Sequence, residues 1–235
     1  MIDVLAKEQL SAWAVARSLE TVSIELQKYM PAVQLLSARI ITNSTIGLTF
    51  GNEIVFTNQN LLHSAKNGFA IPKIIPLCRN PMISFRGIKT LFEIKKLYNG
   101  NLDRKKVNIL FRAGLEATSC YLNYHPDAKK LMNNEEGTID FYLEETYFLG
   151  RISKLKNSQW TCNSANSHED SSVILNFKDL KSAIRGTRGQ INPLADPALG
   201  NIKVRGRIPL LDKFGFVARL TSREVPSPLD QTHAR

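Results

Sequence analysis

The fold class predicted by this sequence is α+β: an antiparallel-rich sheet covered by helices on one face, present twice. Three observations lead there. Stretches with apolar residues at three- and four-residue spacing alternate with stretches rich in Val, Ile, Thr and Phe. Hydrophobic residues make up 43% of the 235, enough for one large core or two small ones. Helical and strand-like runs follow a similar order in both halves, on either side of the polar junction 98–105, YNGNLDRK. The division expected is therefore a unit at 1–100, a second at 101–225 and a flexible tail at 226–235.

In the first half, residues 3–30 are predicted helical. Ala12, Val15, Leu19, Val22, Leu26 and Tyr29 form one stripe, and Pro31 helps to end it. Residues 33–57, punctuated by Gly47, Gly51 and Asn52, predict two or three strands. Residues 59–67 predict a short helix with Gly68 at its C′ position. Pro72, Pro76 and Pro81 mark 69–81 as an irregular crossing, followed by a short strand at Ile83, Phe85 and Gly87 and a helix.

In the second half, Val107, Leu110, Phe111 and Leu115 predict a helix over 103–123, broken at His125-Pro126, with a helical turn at 127–132. Alternation then places Ile139, Phe141 and Leu143 on one face of a half-buried strand and Asp140, Tyr142 and Glu144 on the other. Residues 146–155 and 158–163 continue the sheet, 164–171 (SANSHEDS) form a polar loop, and Val173, Leu175 and Phe177 resume the alternation. Asn176 is expected to cap a helix with Asp179 in its first turn, Leu180, Ala183 and Ile184 on its buried side, and Gly186 at its end. After an irregular crossing at 187–197, Ile202 and Val204 make a short strand framed by Gly200 and Gly206. Pro209 opens a last helix carrying Leu210, Leu211, Phe214 and Ala218.

The two halves echo each other. Leu62, Ala65 and Gly68 match Leu180, Ala183 and Gly186 at an offset of 118; Ile83, Phe85, Gly87 and Leu91 match Ile202, Val204, Gly206 and Leu210 at 119. This predicts a duplicated unit whose first copy is shorter and degenerate.

Composition narrows the function classes. Lys and Arg number 31 against 21 acids, a net charge of +10, which fits either an anionic partner or simple solubility. Three widely spaced cysteines (Cys78, Cys120, Cys162) give neither a zinc ribbon nor a disulfide framework. The opening MIDVLAKEQL is charged early, so a reducing, cytoplasmic setting is expected, with any membrane contact peripheral. His63, His125, His168 and His233 lack metal-ligand spacing, and Glu144-Glu145, neighbours in a strand, point to opposite faces. No nucleophile elbow, Walker A loop or dinucleotide fingerprint occurs, so no catalytic residue, metal or cofactor is assigned. Residues 184–191 (IRGTRGQI) carry the Gly-x-x-Gly spacing of K-homology RNA-binding loops, but Asn192-Pro193 interrupts the helix that should follow, and nucleic acid is a disfavoured partner.

Three stretches carry a resemblance: GTIDFYLEETYFLGRISKLKNSQWTC, SSVILNFKDLKSAIRG and LADPALGNIKVRGRIPLLDKFG. Their order is two strands, a strand with a tryptophan, a strand running into an F-x-D-L helix, a crossing, a G-x-I-x-x-x-G strand and a closing helix. In this order residues 103–222 resemble the sterol carrier protein type 2 domain, a lipid-binding family. The divergent first copy, the polar linker and a C-terminus without Ser-Lys-Leu depart from the family's pattern.

The resemblance implies a five-stranded sheet, helices over one face and an apolar tunnel between them for an acyl chain, sterol, isoprenoid or quinone. The residues expected to line it are Phe141, Leu143, Phe148, Leu175, Leu180, Ile184, Leu199, Leu210, Leu211 and Phe214, with the last helix as a lid. Arg185, Arg188, Lys203, Arg205 and Arg207 form a candidate surface for docking to an anionic membrane. Two other readings remain open: an enzyme or accessory of a biosynthetic enzyme, with Tyr142, Tyr147 or Cys162 as the polar group in the pocket, and a structural dimerising protein.

Overall fold

The computed structural model describes residues 6–49, 53–67, 71–98, 101–156, 158–163, 171–192 and 195–225. The expected tail, the C′ position at Gly68 and most of the polar loop with His168 lie outside them. The chain forms two compact units, whose principal segments are Leu5–Asn101 and Leu102–Arg223. Both are α+β.

In the N-terminal unit, α1 (Lys7–Gln27) is followed by β1 (Arg39–Thr42), β2 (Thr45–Leu48) and β3 (Ile54–Thr57), an antiparallel meander in the order β1-β2-β3. Three helices follow: α2 (Asn58–Asn67), α3 (Ile74–Arg79) and α4 (Pro81–Tyr98). Ala12, Val15 and Ala16 of α1 meet Ile46, Leu48, Ile54 and Phe56 of the sheet in the core. Two expectations are corrected here. The crossing at 69–81 contains a helix, α3, and the strand expected at Ile83–Gly87 is the first part of α4. Ser84, Gly87, Thr90, Ile94 and Leu97 are the buried positions of α4, at helical spacing. Gly87 permits its close seat on the sheet, because a Cβ there would stand 2.5 Å from Ile54 Cδ1 and 2.8 Å from Thr49 Oγ1. The echo with Ile202–Gly206 thus pairs a helix with a strand. Its other half does join two helices, α2 and α7, that each follow a strand.

In the C-terminal unit, α5 (Arg104–Tyr124) begins at Asp103, whose side chain accepts a hydrogen bond from the Lys106 N–H at 2.8 Å. Next come α6 (Pro126–Met132), β4 (Gly137–Leu143), β5 (Tyr147–Lys154), β6 (Thr161–Asn163), β7 (Val173–Phe177), α7 (Leu180–Thr187), α8 (Ala195–Ala198), β8 (Ile202–Gly206) and α9 (Ile208–Glu224). The sheet is mixed, in the order β6-β5-β4-β7-β8, with β4 and β7 parallel and the other pairs antiparallel.

Further corrections follow from side-chain placement. Asp179, not Asn176, caps α7: its carboxylate accepts from the Ser182 N–H at 2.8 Å. Asn176 belongs to β7, and its amide oxygen accepts from the Glu145 N–H at 2.8 Å, pinning the β4–β5 turn, where Glu144 and Glu145 have φ of 54° and 65°. Gly186 lies inside α7, where a Cβ would meet the Phe177 ring at 2.9 Å; Gly189, at φ +65°, ends the helical path. The crossing at 187–197 holds the helical turn α8. Finally, β4 is not half-buried. Asp140 and Tyr142 are buried along with Phe141 and Leu143, as a central strand requires.

Among the described residues no helix is long and apolar enough to cross a membrane.

Candidate ligand-binding layer

Register assigns the side chains of the C-terminal sheet to two faces, since directly opposed residues share a face. Phe141 opposes Gly150 of β5 and Leu175 of β7, and Leu175 opposes Val204 of β8. This face meets the helices. Phe111 of α5 packs against Phe141 and Phe177 with ring centroids 5.2 and 5.6 Å away, and Phe214 of α9 reaches Phe141 at 5.7 Å. All three contacts are tilted or edge-on, the favourable arrangement for aromatic pairs. Gly150 allows α5 to approach, because a Cβ there would lie 2.8 Å from Leu115 Cδ1.

Of the ten residues expected to line a tunnel, Phe141, Leu143, Leu175, Leu210 and Phe214 are buried in or beside this phenyl layer. Leu180 and Ile184 are half-buried on the stripe of α7 that carries buried Ala183, and Leu211 is half-buried one turn before Phe214 and Gly215. Two stand apart. Leu199 is 70% exposed in the turn after α8. Phe148 lies on the opposite face, with its ring 5.4 Å from Tyr142, because a β-bulge shifts the β4–β5 register between Phe141 and Tyr142. An unbulged ladder would have set Phe148 opposite Leu143, facing the helices. The rings of Phe111, Phe141, Phe177 and Phe214 thus pack together between the sheet and the helices, in the region where the tunnel was expected.

One polar feature of this layer escapes sequence reading. Asn108, one turn before Phe111 on α5, is only 8% exposed. Its amide nitrogen donates to the Tyr147 hydroxyl at 3.4 Å, while its Oδ1 is buried with no hydrogen-bond partner among the described residues. Tyr147 opposes Leu143, which places this pair at the end of the phenyl layer. The only sequence signal is an amide within an apolar helical run.

The second face of the sheet is polar at its centre. Asp140, with no exposed surface, accepts two hydrogen bonds from Arg151, from Nε at 2.6 Å and from a terminal nitrogen at 2.7 Å, and a third from the Ser171 hydroxyl. Beside it a concavity of about 490 Å³ is lined by Tyr142, Ile174, Asn176, Lys203, Arg205 and the turn residue Glu145. Burial first, and the Asp140 carboxylate second, push the Tyr142 hydroxyl above the ordinary tyrosine value, against the opposing pull of Arg151. Of the other polar candidates, Tyr147 faces α5 and half-buried Cys162 sits on the edge strand β6, so the three do not converge.

The five cations singled out for docking are also dispersed. Arg185 forms a bidentate pair with Asp196 at 2.7 and 3.0 Å, and Arg207 bonds Glu135 at 2.8 Å. Arg188 is half-buried at the end of α7. Lys203 and Arg205 project from β8 on the concave face, and Lys203 pairs with Glu145 at 2.7 Å. Glu135 also accepts from Lys213 at 2.5 Å, so it ties the start of α9 to the segment before β4.

The strand flanked by two glycines is explained by the sheet edge. Gly206 has φ +100°, and a Cβ there would stand 2.1 Å from the Ser172 carbonyl oxygen. The chain turns against this backbone, and the Arg207 N–H donates to the same oxygen at 3.0 Å before α9 begins. No family model and no curated protein matches this chain.

Proposed function

We propose that the protein binds an elongated apolar molecule non-covalently in the layer beneath α9 and presents it to a membrane or to a biosynthetic enzyme. The observation that carries this reading is the buried Oδ1 of Asn108, an acceptor with no partner among the described residues, at the end of a continuous phenyl layer. A buried polar group without a partner is costly, and a ligand hydroxyl that donates to it recovers that cost. A ligand carbonyl would instead accept from the Tyr147 hydroxyl. Lipids, sterols, isoprenoids and quinones all combine such a head with a long apolar body. Each buried methylene contributes about 0.8 kcal/mol. The wide spacing of Cys78, Cys120 and Cys162, which gives no disulfide framework, fits a reducing, cytoplasmic setting.

Native mass spectrometry of the protein purified from cells, followed by organic extraction, tests this reading. Near one co-purifying apolar molecule per chain, and weaker retention in Asn108→Leu, are expected. A clean unliganded mass together with no uptake of a fluorescent fatty acid, sterol or quinone overturns it and leaves the phenyl layer as a sealed core.

A further inference from the structure

We infer that α3 and the first half of α4, in the N-terminal unit, form a docking surface for an anionic phospholipid bilayer. The helix α3 has the sequence IIPLCR, yet none of its six residues is buried. Ile74 is 72% and Ile75 88% exposed, Ile71 just before them 67%, and Met82 and Phe85 on the first turns of α4 72% and 71%. Met82 and Phe85 are three residues apart and so share one face of α4. Scattered exposed apolar residues are ordinary; five large ones within fifteen positions (71–85) mark an interaction surface.

Charge identifies the occupant. Between Ile71 and Leu97 the chain carries Lys73, Arg79, Arg86, Lys89, Lys95 and Lys96 against a single acid, Glu93, which pairs with Lys96 at 2.7 Å. Lys73, Arg79, Arg86 and Lys89 are exposed among the apolar side chains. Large apolar groups with interspersed cations on a surface helix match the acyl–headgroup boundary of an anionic membrane. A second copy of this chain fits poorly, because an isologous contact would bring the same cations face to face. The fold supports the display. The Lys73 N–H donates to the Val55 carbonyl at 2.7 Å, and the Ser84 hydroxyl donates to the Leu77 carbonyl at 3.2 Å, so both helices are tied down while these side chains remain outside. The inference rests on none of the ligand-layer residues.

Co-sedimentation of the full chain with vesicles of phosphatidylcholine and 30% phosphatidylserine, and with phosphatidylcholine alone, tests it. Binding to the anionic vesicles, weakened by salt, is expected. Ile75→Ser/Phe85→Ser should weaken it at least tenfold, and Arg86→Glu/Lys89→Glu by more, since each cation near such a surface is worth about fivefold in affinity. These positions are exposed, so an unchanged circular dichroism spectrum and melting temperature serve as the folding control. Failure of the wild type to bind the anionic vesicles overturns the inference, as does unchanged binding by both variants. A concentration-dependent dimer that Phe85→Ser dissolves also overturns it and assigns the patch to self-association.

Discussion

Replacing Asp140 by alanine is expected to destabilise the C-terminal unit by about 3–5 kcal/mol, the usual cost of breaking a buried ion pair from one side. The figure follows from the geometry. The Asp140 side chain has no exposed surface, that of Arg151 is 10% exposed, and their two hydrogen bonds are 2.6 and 2.7 Å long. With charge centres about 4 Å apart and an effective dielectric constant near 20, the attraction is about 4 kcal/mol. Alanine removes it and leaves a guanidinium buried without its carboxylate. The double variant Asp140→Leu/Arg151→Met removes both charges and fills the volume, so it should lie within roughly 1–2 kcal/mol of the wild type. The assay is urea unfolding followed by Trp160, which is 3% exposed in the C-terminal unit, in a Trp13→Phe background so that it is the only indole. With a slope of about 2 kcal/mol/M, the single variant should lose about 2 M in midpoint. A loss below about 1 kcal/mol, or a double variant as damaged as the sum of the two singles, would refute the argument that this face of β4 is held by a desolvated pair.

Acidification provides a second test. The hydrogen bond from Lys213, with the charges of Lys213 and Arg207, holds the Glu135 carboxyl below its usual range against the opposing effect of burial. A carboxylate depressed in the folded state adds stability above its unfolded value, near pH 4.3, and this is lost as pH falls through its folded value. Melting between pH 3 and 7 should therefore fall more steeply for the wild type than for Glu135→Gln, with the two converging at the acid end. Gly206→Ala should cost upwards of about 2 kcal/mol, because its Cβ would meet a backbone carbonyl. Gly200→Ala, at φ +69° with open space around it, should cost about 1 kcal/mol; equal losses in chemical denaturation would contradict the steric account. Asp179→Ala should cost about 1 kcal/mol through the lost cap of α7, visible as faster amide exchange at Ser182.

Much of the secondary structure was legible because it is locally coded. The stripe Val107, Leu110, Phe111 and Leu115 needs only the helical period to be recognised, and Pro209 and Gly206 mark the start of α9 through backbone restrictions that apply in any context. The run at Ile83, Phe85 and Gly87 shows where local code fails. Its period of two is as short as the start of a helical repeat, and the seat of Gly87 on Ile54 selects the helix. Asn176 was expected to cap α7, but the β4–β5 turn uses its side chain, and Asp179 caps the helix instead.

The candidate site was legible only in part. Phe141, Leu143, Leu175, Leu210 and Phe214 could be placed in one apolar layer from periodicity and from the resemblance to a lipid-binding domain. Phe148 could not, because the bulge that moves it to the other face is a property of strand pairing. Asp140 reads as a solvated strand residue until Arg151, eleven positions on, is seen beside it. Asn108 and Tyr147 are thirty-nine positions apart and acquire meaning only once α5 lies on the sheet. By itself, then, the sequence determined the α+β class, most of the elements and the composition of the core, because period, turn chemistry and burial are encoded within a few residues. Register, the facing of individual side chains and the pairing of buried polar groups were decided by the tertiary structure, because each depends on contacts between segments far apart in the chain.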